Sequence, residues 1–542
     1  MRAHRMLYKR DVVLSATLLC LGMMTDVSTA FLGPSITTAS NPSSPLGTNT
    51  NTLSIANHNN ILTIPQGGDN VNRGQAINTR MKAATAAANE GDSSGDVSNE
   101  QDIATAAFNL IKGCVGSGVL SLPAGVAAIG DVSSAIIPAS AILFILGTIS
   151  AYTFHLLGRL CQVEKDEAIE KGLSAENSQL SRAGSIGELW DYEVGSSSSW
   201  LVSLAIILTC YGTSLAYSII LGDTFKSMAE TVGLTGIIAT RRANVAAISL
   251  LGVYPLCCLK SLAALKPVSI IGNIGILVTA LVMTVRALPG GAYSAASAAT
   301  NFLSTLPADL QPSFGVTGLR SMKSLLVLSS TTATAFLVHM AGPEFYQTLR
   351  GASLSRFGIL SAVGFGSVAA LSTYMMCVGF LTFGGACKGM ILNNYSTLDA
   401  GATLCRGLMG IALLGSYAFI ANVMKGTIYQ FFYKGKEVTD KVQARTTKLL
   451  VGSLTALALI LDDAGFVVSF TGAILGSALI YIIPPFLFLK STKRRLDSGT
   501  MEATRTLKVE RMWNRFLIAL GLFLGVAGGS MTVINTFFPH LL

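Results

Sequence analysis

From residue 102 onward the chain repeats one pattern: an apolar run about as long as a bilayer is thick, followed by a short polar link. A helix rises ~1.5 Å per residue and the hydrocarbon core is ~30 Å across, so about 20 apolar residues suffice to span it. Eleven runs qualify, near residues 103–129, 134–158, 199–225, 243–260, 267–287, 324–341, 357–383, 403–427, 446–462, 464–489 and 514–536. Half the chain, 51%, is hydrophobic and only 12% is charged. The pattern predicts an all-α integral membrane protein with about 11 transmembrane helices, lying in the lipid bilayer as its solvent.

If the segment before the first helix lies inside, the links alternate sides, and the inner ones hold 22 Lys and Arg against 7 in the outer ones. That excess supports an odd number of spans, with the N-terminus inside and the C-terminus outside. The net charge of +9 is therefore read as a record of orientation, not as a nucleic-acid surface. The nine cysteines are scattered, with no CxxC pair, and are expected to be small core residues holding neither metal nor disulfide. No HExxH or phosphate-binding Gly-rich loop occurs, so neither an enzyme nor a cofactor site is expected. The unusual polar residues sit within the helices, which is the pattern of a transport pathway.

The front end divides differently. Residues 1–30 read as a targeting segment, with Arg2, Arg5, Lys9 and Arg10 before the apolar run Val12–Met24 and the small-x-small Ser28-Thr29-Ala30. Residues 31–101 are rich in Ser, Thr and Asn and read as a disordered, transit-peptide-like tail, leaving 102–542 as the transmembrane domain. "STAFLGP" resembles the junction of diatom and related algal plastid precursors, with Phe31 as its Phe, which implies the plastid envelope. A vacuolar or other endomembrane address is the alternative.

Within the first span, Gly116-Ser117-Gly118 and Pro123 interrupt an apolar helix. Backbone that leaves helical geometry at membrane depth must be buried in protein or line a cavity. A half-helix beginning there offers free N–H groups and a positive dipole end to a carboxylate, while the carbonyls ending the preceding half can hold a cation. Small residues at this spacing serve close helix packing equally well.

Longer stretches carry a family likeness. "FNLIKGCVGSGVLSLPAG" resembles the first-helix signature of the amino acid/auxin permease family. "AFLVHMAGPEFYQTLRG" is similar to that family's sixth helix at Phe336, His339, Tyr346 and Leu349, and "DDAGFVVSFTGAILGSALIYIIPPFLFLK" to its ninth-to-tenth helix block. The resemblance implies a leucine-transporter-type fold of two inverted five-helix repeats plus one helix, with helices 1 and 6 broken and an amino acid held between them. It implies Gly116, Ser117 and Gly118 at the carboxylate and Thr334 and Phe336 on the facing wall. The sequence departs from the family at Glu344, where a Pro is common, and at Thr348.

Lys112 stands where sodium-coupled members of that family carry an Asn. An ammonium offers only donors and a positive charge, so it repels sodium and points to proton coupling or uncoupled exchange, unless it is simply a snorkelling or salt-bridged lysine. Ser416 offers a hydroxyl to a cation and keeps sodium coupling as the alternative. His339 is expected either to relay a proton or to pack through hydrogen bonds. Thr331, Thr332 and Thr334 either bond back to their helix or line the cavity. Asp223 and the Asp462-Asp463 pair are expected to face water, and Asn394-Tyr395-Ser396 forms a glycosylation acceptor in an outer loop. The other function considered is an amino-acid sensor whose basic inner loop, 425–448, engages a partner.

Overall fold

The computed structural model describes residues 101–170, 184–259, 266–288, 290–293, 302–315, 324–433 and 438–538. The expected targeting segment lies outside the described residues, as does the tail up to residue 100. The described residues are nearly all helical. The elements are α1 (Ile103–Cys114), α2 (Ser117–Ile129), α3 (Ile136–Glu170), α4 (Ile186–Glu193), α5 (Ser199–Thr231), α6 (Arg241–Ile248), α7 (Tyr254–Cys257) and α8 (Lys266–Ala287). They continue with α9 (Leu325–Ala335), α10 (Gly342–Thr348), α11 (Leu354–Phe383), α12 (Ala400–Tyr433), α13 (Asp440–Ile460), α14 (Ala464–Thr471), α15 (Ile483–Asp497), α16 (Arg505–Phe523) and α17 (Gly529–Phe537). Wider π-helical turns at Ser249–Val253, Gly472–Gly476, Ala478–Ile482 and Leu524–Gly528 keep several of these pieces in one continuous rod.

Among the described residues, eight helices are long and apolar enough to cross a membrane, and the bent pair α1–α2 makes a ninth span. The two other expected spans are of mixed character. Arg241 and Arg242 open the short α6–α7 rod, and the first half of α13 carries Asp440, Lys441, Arg445 and Lys448. Several spans also outrun their expected limits on the inner side: α3 continues to Glu170, α12 to Tyr433 and the tenth-span rod to Asp497. Polar residues there extend the helix into water without raising its hydropathy.

Packing sorts the helices into two layers. In one, α11 lies along α1, α2 and α3, α9 lies against α2, and α10 packs on α3. In the other, α5, α8, α12 and α13 lean on one another, and α14 touches both α5 and α9. Charge pairs close the inner face. Arg494, at the end of α15, reaches Glu167 of α3 (2.7 Å) and Glu193 of α4 (3.0 Å), and Arg159 pairs with Glu510 of α16. The small helix α4 was not foreseen, although its cap is written in Ser185-Ile186-Gly187-Glu188: the Ser185 hydroxyl accepts from the Glu188 N–H (3.2 Å), and Glu188 accepts from the Gly184 N–H (2.6 Å).

Gln101, assigned by sequence to the tail, belongs structurally to the domain. Its N–H donates to the Thr348 carbonyl (2.6 Å) and its carbonyl accepts from the Arg350 N–H (2.8 Å), tying the start of the first span to the inner end of the sixth.

Candidate functional site

Two spans lose their helical backbone part-way along their length. The first bends by 51° between α1 and α2. Gly116, which precedes α2, sits at φ −143°, ψ −142° and supplies no side-chain cap. The first N–H groups of α2 are thus left without the usual hydroxyl or carboxylate partner at a positive helix end. The sixth breaks after Ala335, where the Leu337 N–H reaches the Thr334 carbonyl (3.3 Å) and the Val338 N–H that of Phe336 (3.1 Å), before a short turn, His339–Ala341, leads into α10.

The two breaks face each other. A methyl added at Gly118 would lie 3.0 Å from the Ala335 backbone, and one at Gly113 would lie 3.1 Å from Val338 Cγ2. The third span completes the site: a methyl on Gly116 would lie 2.9 Å from the Tyr217 hydroxyl oxygen. The N-terminus of α2, the C-termini of α1 and α9 and one phenol therefore converge around Gly116.

Of the residues singled out from sequence, Gly116 and Gly118 lie in this junction, and the side chain of Ser117 lies outside those described. Thr334 stands at the junction but donates its hydroxyl to the Val468 carbonyl of α14 (2.8 Å), so it locks the sixth span to the tenth. Thr331 does likewise through Ser469 (2.9 Å) while bonding back to Val327 (3.0 Å). Phe336 is fully buried, its ring seated against Gly147 of α3 and stacked on Phe365 of α11. Phe336 can therefore offer a substrate its backbone but not its ring.

His339 is also fully buried. Its Nε2 lies 3.0 Å from both the Ser150 carbonyl and the Thr153 hydroxyl of α3, with Phe154 and Phe365 edge-on. That is the packing alternative, a clasp between the sixth and second spans. Lys112 is half-buried in the last turn of α1 and Ser416 half-buried on α12; neither has a hydrogen bond or ion pair among the described residues.

Other expectations are corrected. Asp223 does not simply face water: it pairs with Arg241 (2.9 Å) and accepts from Asn393 (3.4 Å). Asp462 and Asp463 are exposed as expected, and Asp463 caps α14 through the Phe466 N–H (3.1 Å). Asn394 is fully buried, donating to the Ala386 carbonyl (2.8 Å) and accepting from the Lys388 N–H (2.9 Å). Lys425 belongs to no basic loop: it is buried within α12 and donates to the Cys257 carbonyl that ends α7 (2.7 Å). Lys441, Arg445 and Lys448 ride on α13, and Lys434 and Lys436 lie outside the described residues.

Sequence reasoning missed Tyr217, which looks like any aromatic in an apolar run, and Arg406, a guanidinium buried at the outer end of α12. Arg406 donates to the carbonyls of Leu392 (2.9 Å), Ser396 (3.3 Å) and Tyr395, and holds the outer loop after α11 in place. Asp399, buried at the end of that loop, is bound by both arms of Arg286 from α8 (2.8 and 3.0 Å).

Residues 100–534 match the family described as Transmembrane amino acid transporter protein. The chain is 23% identical over 460 residues to sodium-coupled neutral amino acid transporter 7 of Mus musculus, covering 81% of this chain and 88% of that one. It is 20% identical over 409 residues to amino acid transporter AVT6E of Arabidopsis thaliana, covering 72% and 76%. To vacuolar amino acid transporter 5 of Schizosaccharomyces pombe it is 21% identical over 295 residues, covering 52% and 64%.

Proposed function

The chain belongs to the transmembrane amino acid transporter family, and from that membership we propose that it carries an amino acid across its membrane by alternating access, holding it between the breaks of the first and sixth spans. It is a multi-pass membrane transporter and not an enzyme. The observation that supports the site is the meeting of the two breaks, with Gly118 against Ala335 and Tyr217 beside Gly116.

A zwitterion suits that junction. Its carboxylate takes the N–H groups that open α2, with the Tyr217 hydroxyl as a further donor, and its ammonium takes carbonyls at the C-terminal end of α9. Glycine at 116 and 118 lets the substrate approach the backbone itself. Thr334 and Phe336 serve from behind, fixing α9 against α14, α3 and α11 so that the break keeps its shape. His339 does the same for the inner half of the sixth span.

For coupling we favour the proton, because Lys112 places a cationic side chain in the inner half of the broken first span, close to where a coupling cation would sit. Sodium coupling is the second reading, supported by the name of the mouse relative and by the unpartnered hydroxyl of Ser416. Uptake of radiolabelled amino acids into proteoliposomes under an imposed proton or sodium gradient tests both. Saturable uptake driven by the pH gradient alone is the expected result. Dependence on sodium overturns the role given to Lys112, and binding without uptake would leave the sensor reading in its place. The plastid envelope is proposed from the N-terminal pattern alone; residues 1–70 fused to a fluorescent protein should label plastids, and a vacuolar or secreted signal rejects that address.

A further inference from the structure

Two opposite charges inside the spans have no partner among the described residues: Lys112, in the last turn of α1, and Glu344, in the first turn of α10. Both are half-buried. An unpaired charge at membrane depth is costly, and such residues persist where they line a pathway or pair in another state. The charges nearer the inner surface, Arg159, Arg494, Glu167, Glu193 and Glu510, are all matched.

The helix faces turn both charges away from the helices packed behind them. On α1 the buried residues Ala106, Ala107, Leu110 and Cys114 form a stripe, and Leu110 is pressed on Gly364 of α11. Lys112 stands two residues from both Leu110 and Cys114, about 200° around the helix, on the face turned away from α11. On α10, Gly342 abuts Leu157 of α3 and Tyr346 donates to Gln162 of α3. Glu344 stands two residues from each, on the face turned away from α3. α3 and α11 pack together, so each charge lies on the side of its helix away from that pair. The inner halves touch at the break, through Gly113 and Val338, and at the inner surface, through Gln101. Between those contacts lie the two side chains. Cα–Cβ bonds tilt toward a helix's N-terminus, so the lysine runs inward from the break and the glutamate runs back toward it.

We propose that Lys112 and Glu344 form an ion pair that seals the inner half of the pathway when α1 and α10 draw together, and that they stand apart in the conformation seen here. The pair would act as a latch: formed while the substrate site is open to the outer side, broken to release substrate inward. This rests on the transporter reading, so one of its tests does not require transport.

A membrane-permeant carbodiimide joins a lysine to a carboxylate only when the two are in contact. Treating the full-length protein in liposomes and mapping joined peptides by mass spectrometry should give a Lys112–Glu344 link that is lost in Glu344→Gln. The second arm is substrate counterflow, which needs alternation but no driving ion. Glu344→Gln and Lys112→Met should each slow counterflow at least fivefold, and Lys112→Glu combined with Glu344→Lys should recover it to within threefold of the unaltered protein. No joined peptide, or a double swap no better than either single change, overturns the latch. If the unaltered protein shows no counterflow, the transporter reading fails, and the joined peptide alone decides whether the pair forms.

Discussion

Outward of their breaks the two discontinuous spans meet through glycine and backbone, whereas inward of them the same spans carry charges, Lys112 and Glu344, that have no partner among the described residues. On the outer side Gly118 sits on Ala335, Gly125 on Leu328, and Gly472 of the tenth span on Ser330 and Thr334, while Gly389 and Gly465 meet backbone to backbone. A chamber of about 90 Å³ lies there, lined mainly by small and hydroxyl side chains, among them Ser121, Thr331 and Ser469. On the inner side, Gly113 approaches the Val338 side chain and Gln101 bonds to the Thr348 and Arg350 backbone. Steric fit is specific and indifferent to salt; charge pairing acts over longer range and is screened. The two sides should therefore fail in different ways when altered.

The largest difference is expected at the glycines of the breaks. Gly118→Val drives a branched side chain into the Ala335 backbone and should reduce proteoliposome uptake more than tenfold. Gly113→Ala meets only the end of the Val338 side chain and should keep at least half of the uptake. Equal losses would mean that the inner half is packed as rigidly as the outer.

Next comes stability on the outer side. Gly472→Ala would overlap the Ser330 carbonyl and the Thr334 hydroxyl, and overpacking of that kind costs ~1–3 kcal/mol, read as a lower midpoint in thermal unfolding in detergent. Gly452→Ala, on an open face of α13, should be neutral or gain up to ~1 kcal/mol, because alanine is the better helix former.

A comparable or smaller loss is expected from Arg494→Met on the inner face. It strands the Glu193 side chain, which is 1% exposed, but Arg494 itself is 37% exposed and so partly screened. About 1–2 kcal/mol is expected, a loss that shrinks in high salt. The penalty at Gly472 should not respond to salt, and a matching response there would erase the contrast.

The smallest effect belongs to the exposed pair Lys388–Asp309 (2.8 Å). Lys388 holds the Asp309 carboxyl below the usual range. A lowered carboxylate pKa stabilises the fold above the unfolded value and ceases to do so as pH falls through the folded one. Lys388→Met should thus cost about a degree of midpoint or less at neutral pH, and progressively less as the pH falls below the ordinary carboxylate range.

The spans and the break in the first of them were legible in the sequence because they depend on local chemistry: apolar length for the one, Gly-Ser-Gly for the other. Matters that depend on a distant partner were not legible. That Thr334 spends its hydroxyl on Val468, and that Phe336 turns its ring to Gly147, follows from how the sixth span is rotated, which one helix alone cannot specify. Tyr217 enters the site only because α5 crosses at the level of Gly116. Glu344 was visible as a departure from the family pattern, but its meaning depended on which face of α10 packs against α3. The helix ends were misjudged for another reason: beyond the lipid, hydropathy no longer tracks helicity.

The burial of Asn394 alters how this protein's compartment can be read. Its acceptor triplet reads as an accessible outer-loop site, yet in the folded loop the amide is engaged at both ends with no room for a glycan, so a glycan-free band is what this fold requires whichever lumen the outer loops face. A usable reporter can be placed at Gly233, whose φ of +74° is one that asparagine tolerates, in an exposed turn beyond α5. Gly233→Asn creates Asn-Leu-Thr there. A shift in electrophoretic mobility that a glycosidase reverses would show that these loops had faced the secretory lumen, and an unshifted band would favour a membrane outside that route.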